Sequence, residues 1–185
     1  MRLRRRYELP GVFPLVEAAA TRAVAADQAR LWIVDHDARS LWSGLTTDLD
    51  RELTADLNGR NGHRAATEAA VSGQEVVAST RRMGHLLDGH ARAAGELPGL
   101  DPAAVIALPV RGTVGGEVVT VAVLEVARAP ARRAATLSSG SDDAEGFGAE
   151  DQYALELLAA QLRVVLSGCM TVADLKESMR EQEVL

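Results

Sequence analysis

The chain has 185 residues, of which 20 are Lys or Arg and 26 are Asp or Glu, and its formal net charge of −6 argues against a broad nucleic-acid-binding face. Cys169 is its single cysteine, which excludes an internal disulfide and a thiolate zinc cluster and fits a reducing compartment. No apolar run reaches the roughly 18 residues of a membrane span, and Glu8, Pro10 and Glu17 interrupt the apolar stretch that a signal peptide needs. We therefore expect one cytoplasmic domain with a full core and no nucleic-acid or membrane partner.

The first part of the chain predicts a helix followed by an antiparallel hairpin. Residues 15–28 combine good helix formers with one apolar stripe. Two short apolar runs, 31–34 and 41–45, flank a polar turn and favour paired strands. The polar segment 48–61 ends in Asn-Gly turn signals and fits a loop, a short strand or a short helix, of which we favour the first two.

The middle of the chain predicts a second helix and three more strands. The alanine-rich segment 63–72 favours a helix that ends at Gly73. Residues 74–79 fit a short strand, and two strong strands flank the glycine turn at 112–116. Because residues 118–126 are nearly all apolar, we expect a central strand that is covered on both faces.

Two irregular segments precede a long terminal helix. Residues 80–102 have little helical or strand pattern, and 130–146 is rich in Ser, Gly and Asp, which indicates a flexible loop. In residues 147–185, Phe147 and a short acidic cluster lead into one uninterrupted helical pattern, with Glu150 and Asp151 in its first turn. Its heptad-like apolar spacing favours a parallel helical dimer, although Gly168 and Lys176 weaken the seam. The predicted seam consists of Leu158, Leu162, Val165, Cys169, Val172 and Met179.

Together these elements predict an α+β fold, with an antiparallel sheet and both terminal helices packed on one of its faces. The order and spacing of several motifs resemble a GAF domain, the small-molecule sensing fold of phosphodiesterases, phytochromes and many bacterial regulators. The motifs are "ARLWIVDHDARSLWSGL", "GRNG" with "AAVSGQEVV", "VIALPV" with "EVVTVAVLEVAR", and "GFGAEDQYALELLAAQLRVVL". The resemblance implies an N-terminal flank over 1–13, a GAF-like domain over 14–169 and a helical extension over 170–185.

A GAF-like fold implies a ligand pocket between the sheet and the loops and short helices that cover it. Trp32 and Trp42 could stack on a purine or a tetrapyrrole, whereas the competing interpretation, which we favour, is core packing. His85 could ligate haem or bind a ligand base, against an exposed loop position, which we also favour. The ligand and any cofactor stay open. The pocket candidates are Trp32, Val34, Trp42, Ala66, Ala70, Met83, His85, Leu86, Ile106 and Leu108.

The cyclic-nucleotide-binding members of the family often carry Asn-Lys, then Phe, then Asp-Glu. This chain has Ala127-Arg128, Phe147 and Asp151-Gln152 at those places, so one amide and one carboxylate are missing. A cyclic nucleotide is therefore one ligand among several that the resemblance leaves open. Arg128 and Asp151 retain opposite charges, and we expect an ion pair that ties the last strand to the last helix.

The sequence contains no convincing catalytic set and no convincing metal site. No G-x-S-x-G occurs, and "RGTVGGE" lacks the lysine of a phosphate-binding loop. We predict a non-catalytic regulatory or sensory domain that binds a small molecule, forms a homodimer through its terminal helices and acts on a linked or partner output domain. Two alternatives stay open: an enzyme of the free methionine-sulfoxide reductase type, whose members use several cysteines, and a ligand-free dimerisation scaffold.

Overall fold

A computed structural model describes residues 11–44, 52–57, 63–79, 103–114, 116–129 and 146–183, with side chains described except at 52–54 and 170–183. Within these described residues, three helices and six strands follow one another in the order that the sequence predicts. The polar segment 48–61 contains a short strand, one of the two favoured alternatives. The elements are α1 (Val12–Ala23), β1 (Gln28–Asp35), β2 (Ser40–Gly44), β3 (Glu52–Asp56), α2 (Arg64–Ser72), β4 (Val76–Ser79), β5 (Ala104–Val114), β6 (Glu117–Arg128) and α3 (Ala149–Glu183).

The boundaries of α1 differ from the predicted 15–28. The helix begins at Val12, because Pro14 is tolerated in a first turn, where the backbone N–H has no intrahelical partner. It ends at Ala23, two residues before Ala25 adopts a left-handed φ of 46°. Residue Gln28, which the prediction placed in the helix, is the first residue of β1.

The six strands form one antiparallel sheet in the order β3-β2-β1-β6-β5-β4. Strands β1 and β6 occupy the centre, in a register that pairs Leu31 with Leu124. Residues Thr120 to Ala127 of β6 are all buried, which confirms the expected central strand. Pro109 lies just beyond Ala107, the last β5 residue in the β4–β5 register, so its missing N–H costs no bond to β4.

Side chains alternate between two faces of the sheet, and each face has its own core. On the helix face, α1 and α3 pack together over residues such as Leu31 and Leu124. On the opposite face, called the α2 face here, alanines of α2 pack directly on Trp32, Val105 and Val123. The predicted α+β architecture, with both terminal helices on one face, is therefore confirmed.

Helix α3 has 35 residues and, at 1.5 Å per residue, a length of about 52 Å. Leu155, Leu162 and Leu166 are buried against the sheet, and Cys169 is half-buried beside the same core. The irregular segments expected at 80–102 and 130–146 lie outside the described residues, apart from Gly146. Among the described helices, none is both long and apolar enough to cross a bilayer.

Candidate functional site

A cluster of four buried polar or aromatic side chains lies on the α2 face. Arg30 and Glu125 are direct partners across β1 and β6, so both side chains point to this face. Trp32, two residues after Arg30, donates its indole N–H to Glu125 Oε2 over 2.9 Å. His63, at the start of α2, places Nδ1 3.0 Å from the same oxygen. All four side chains are more than nine-tenths buried, so the cluster forms a polar centre inside an apolar core.

His63 lies between a guanidinium and a carboxylate. Arg30 Nη1 lies 3.4 Å from His63 Nε2, and since a guanidinium only donates, a hydrogen bond between them requires Nε2 to accept. In the tautomer that meets this requirement, Nδ1 carries the hydrogen and donates to Glu125 Oε2 over 3.0 Å.

Two further features of α2 lie at the cluster: the left-handed backbone of His63 and the buried hydroxyl of Thr67. His63 has a left-handed φ of 53°, a conformation that is uncommon outside glycine, and its ring packs on the Trp32 ring with centroids 4.6 Å apart and a tilt of 57° between the planes. One turn further along α2, Thr67 is buried, and its hydroxyl has no hydrogen-bond partner in the part of the chain that the structure describes. An unsatisfied buried hydroxyl is unfavourable, which makes this point of the α2 face suited to a polar ligand atom.

The structure divides the predicted pocket residues between the two faces. Trp32, Val34, Ala66 and Ala70 lie together in the core of the α2 face. Trp42, Ile106 and Leu108 instead lie in the core of the helix face, and Met83, His85 and Leu86 lie outside the described residues.

The idea that the two tryptophans share one pocket is therefore wrong. Trp42 pairs with Ile33 across β1 and β2, so it shares the face of Ile33, while Trp32 points to the other face. Trp42 packs on Phe13 of α1 with ring centroids 5.5 Å apart. A pocket on the α2 face, now narrowed to Trp32, Val34, Ala66 and Ala70, stays a prediction.

Arg128, the last residue of β6, joins both terminal helices to the sheet. Its guanidinium pairs with Asp151 of α3 at 2.9 Å, the ion pair that the sequence predicts. It also donates to the carbonyls of Gly146 and Val24, the second of which follows the end of α1. Its Cζ lies 4.4 Å from the centre of the Phe147 ring. One side chain therefore links the end of α1, the end of β6 and the start of α3.

Glu17 makes a second contact that holds α1 on the sheet. Its Oε1 accepts the Leu31 backbone N–H over 3.2 Å, at a point where β1 is not yet paired with β2. Burial raises the pKa of Glu17 from 4.5 to about 7, although the Leu31 N–H and the charge of Arg30 oppose the shift. A buried carboxylate that titrates near neutrality thus holds α1 on the central strand.

Solved structures with this architecture were found among bacterial proteins. One is the GAF domain of a phosphoenolpyruvate-protein phosphotransferase from Acinetobacter, at 15% identity and a TM-score of 0.57 over 89% of this chain and 85% of that one. Another is the corresponding GAF domain from Coxiella burnetii, at 16% identity and 0.56 over 92% and 86%. A GAF domain/HD domain protein from Geobacter sulfurreducens matches at 14% identity and 0.53 over 95% and 99%.

The chain has the fold of a GAF domain. No family model and no curated protein matches its sequence. At identities this low the structural likeness establishes the fold alone.

The sheet covers part of the predicted dimer seam on α3. Leu162 is buried and Leu158 is partly buried against the sheet, and Cys169 packs on the same core. Val165 is 47% exposed, whereas the side chains of Val172 and Met179 lie outside the described part. The prediction is wrong at Leu162, because the sheet buries this side chain, and at the other positions the seam stays a prediction.

A groove of about 300 Å³ lies between α3 and the sheet edge at the start of β4. Burial raises the pKa of Glu75, and the neighbouring Glu156 carboxylate raises it further. Arg111, which also lines the groove, donates a hydrogen bond to the Gly73 carbonyl. The lining residues are Glu75, Leu108, Pro109, Val110, Arg111, Glu156, Ala159, Ala160 and Arg163.

The buried cluster was not predicted from the sequence, although two signals for it were present. Glu125 is a charged residue inside a run predicted to be covered on both faces, which requires a buried partner. Arg30 directly precedes the first apolar run. Nothing in the sequence indicated that His63 would join them. In the described part of the chain no group of three or more His, Cys, Asp or Glu residues could hold a metal ion.

Proposed function

We propose that this GAF-fold domain is a non-catalytic sensory domain that binds a small molecule on the α2 face and transmits the event to its terminal helices. The observation that carries the proposal is the position of Leu31. Its neighbours Arg30 and Trp32 hold the cluster on the α2 face, while its own N–H is bound by Glu17 of α1 on the helix face. A ligand that shifts this part of β1 would therefore act on both faces.

The ligand chemistry that suits this face is a planar ring with polar edges. Trp32 and His63 supply aromatic surface, and the Thr67 hydroxyl supplies a hydrogen-bonding atom. A purine cyclic nucleotide fits this description, and a tetrapyrrole fits the aromatic part. A linked or partner output domain would read the position of α3, and the cytoplasmic location expected from the sequence stays a prediction.

The two tryptophans allow a direct test, because each reports on one face and the chain contains only two. In Trp42→Phe, emission comes from Trp32 beside the proposed site, and the difference between the wild-type signal and that of Trp42→Phe reports Trp42 beneath α1 while Trp32 stays in the site. Titration with cyclic nucleotides or haem should change Trp32 emission saturably and Trp42 emission at the same concentrations. If Trp32 responds while Trp42 stays silent, transmission is wrong; if neither responds to any of these ligands, binding of this ligand class is wrong.

A matched pair of α2 variants tests the location of the site. Thr67→Val replaces the buried hydroxyl by a methyl group of similar size and should weaken binding about tenfold, as expected for one lost buried hydrogen bond. Ser72→Ala removes an exposed hydroxyl at the end of the same helix and should leave affinity unchanged. Equal affinities for Thr67→Val and the wild type would place the ligand elsewhere.

We also propose that the domain forms a homodimer through its terminal helices. Leu15 of α1 and Tyr153, Leu157 and Val164 of α3 are exposed apolar side chains on that side of the molecule, with exposed fractions between 49% and 73%. Such a surface is expected to be covered by a partner. Nothing in the described residues favours the reductase alternative, since Cys169 is half-buried against the helix-face core. Thiol-dependent turnover that is lost in Cys169→Ser would reverse that judgement.

A further inference from the structure

The exposed side of α3 carries an apolar stripe that points away from the sheet. Tyr153, Leu157 and Val164 are 62%, 49% and 72% exposed, and Ala160 is exposed between them. Their steps of four, three and four residues keep them on one side of the helix, opposite the buried Leu155, Leu162 and Leu166.

The spacing of this stripe is the same in both directions along the helix. Reversal about its midpoint exchanges Tyr153 with Val164 and Leu157 with Ala160. Two antiparallel copies of α3 would therefore place each large side chain opposite a small one, the arrangement that lets two helices approach closely. Parallel copies would instead set Tyr153 against Tyr153 and Ala160 against Ala160.

One flank of the stripe carries two opposite charges that the single chain does not pair. Glu156 and Arg163 lie seven residues, or about two helical turns, apart on the same side of α3 and both line the groove. Neither side chain makes a hydrogen bond or an ion pair with any described residue. Glu156 instead faces another carboxylate, Glu75, whose pKa it helps to raise.

Two-fold symmetry decides which flanks would meet. When two helices pack antiparallel about a two-fold axis, each flank faces the same flank of the other copy with its direction reversed. With Tyr153 opposite Val164, Glu156 is level with residue 161 of the second copy, and Arg163 of that copy lies two residues, or about 3 Å, further along the axis, a distance that two long side chains span. In a parallel two-fold packing the same flank would face the opposite one, which carries Gln161 and Val165.

We propose that a second copy of this chain binds this stripe with α3 antiparallel, so that Glu156 of each copy pairs reciprocally with Arg163 of the other. The inference rests on the homodimer proposed above and adds its face, direction and charge pairs. Two pairs form per dimer because the interface is isologous. Each would also place a positive charge next to the repelling carboxylates of Glu75 and Glu156.

Charge exchange tests the pairs by sedimentation equilibrium. Glu156→Arg or Arg163→Glu turns both reciprocal pairs into like-charge contacts and should raise the dimer Kd about tenfold or more. The double variant Glu156→Arg/Arg163→Glu restores both pairs with exchanged signs and should return Kd to within about threefold of the wild type. Glu68→Arg, the same charge change on exposed α2, serves as the control and should leave Kd unchanged. A double variant that is no tighter than the single ones overturns the pairing.

Disulfide crosslinking in a Cys169→Ser background tests the direction of the helices. An equimolar mixture of Tyr153→Cys and Val164→Cys chains, distinguished by a mass tag, should crosslink between the two variants and little within either one. Self-crosslinking of Tyr153→Cys alone indicates parallel helices and overturns this inference, while the proposed homodimer stands. A dimer without crosslinks in any mixture places the interface elsewhere and also overturns it. A monomer at every concentration refutes the homodimer itself.

Discussion

Glu17 Oε1 lies 3.2 Å from the backbone nitrogen of Leu31 and accepts its hydrogen, which ties α1 to the central strand. Arg30 and Trp32, on either side of Leu31, reach the opposite face of the sheet and contact Glu125 or His63 there. The sheet is only one backbone thick at this point, so the two contacts lie back to back.

The carboxyl of Glu17 should make stability fall between about pH 4.5 and 7. Its pKa is raised to about 7 in the folded chain from 4.5, so the folded state binds the proton more tightly and is favoured while the group is protonated. This contribution is complete below pH 4.5 and is lost as pH rises through 7, by about 3 kcal/mol at most. Urea unfolding of the wild type at pH 5, 6, 7 and 8 should show the decline.

Glu17→Gln keeps an oxygen acceptor for Leu31 but cannot ionise, so its stability should change much less over the same range. It should exceed the wild type at pH 8. The exposed Glu68→Gln is the matched control and should follow the wild-type profile. Identical profiles for Glu17→Gln and the wild type would contradict the prediction.

Replacement of either Arg30 or Glu125, which face each other across β1 and β6, should lower the free energy of unfolding much more than replacement of both. Glu125→Leu takes away the oxygen that Trp32 and His63 use and leaves Arg30 buried opposite an apolar side chain. We expect a loss of about 3–5 kcal/mol, and a recovery of about half of it or more in Arg30→Met/Glu125→Leu. Urea unfolding of the two single variants and the double variant gives the coupling. Additive losses would show that the two charges do not depend on each other.

Arg128 should contribute more to the free energy of unfolding than an ordinary surface arginine does, because it links the end of α1, the end of β6 and the start of α3. Arg128→Ala removes contacts to Asp151, Gly146 and Val24 and to the Phe147 ring, and we expect a loss of about 2–3 kcal/mol. Asp151→Asn should cost about 1 kcal/mol, since the pair is partly open to solvent.

Arg111→Ala, which removes the exposed contact to Gly73, is the control for Arg128→Ala and should cost about 0.5 kcal/mol. Thermal unfolding of the three variants should rank them in that order. Similar losses of stability in Arg111→Ala and Arg128→Ala would contradict the role of Arg128 in linking both terminal helices to the sheet.

Two glycine substitutions should have opposite effects. A Cβ at Gly112 in β5 would lie 2.9 Å from Val121 Cγ1, so Gly112→Ala should destabilise the sheet by about 1–3 kcal/mol. A Cβ at Gly168 in α3 meets no atom within 4 Å, so Gly168→Ala should stabilise the helix by up to about 1 kcal/mol. The sign of each change in melting temperature decides the outcome.

The sequence by itself determined the order of the elements and the class of the fold. The short apolar run of β1, the nearly all-apolar run of β6 and the proline-free apolar stripe of α3 with its acidic first turn each favour one local structure strongly. The Arg128–Asp151 pair was predicted because the GAF resemblance placed both residues at the ends of adjoining elements. Local propensity and short-range pattern suffice for these features, since each depends on neighbouring residues.

Only the tertiary structure decided which face each side chain occupies and which residues meet. The pairing of Ile33 with Trp42 sends the two tryptophans to opposite faces, and a shift of one residue in that register would reverse the result. The sheet, rather than a second helix, covers Leu162. Arg30, His63 and Glu125 are distant in sequence and meet because β1 pairs with β6 and α2 crosses above them. Strand register and helix packing are long-range properties, and no local pattern in the sequence encodes them on its own.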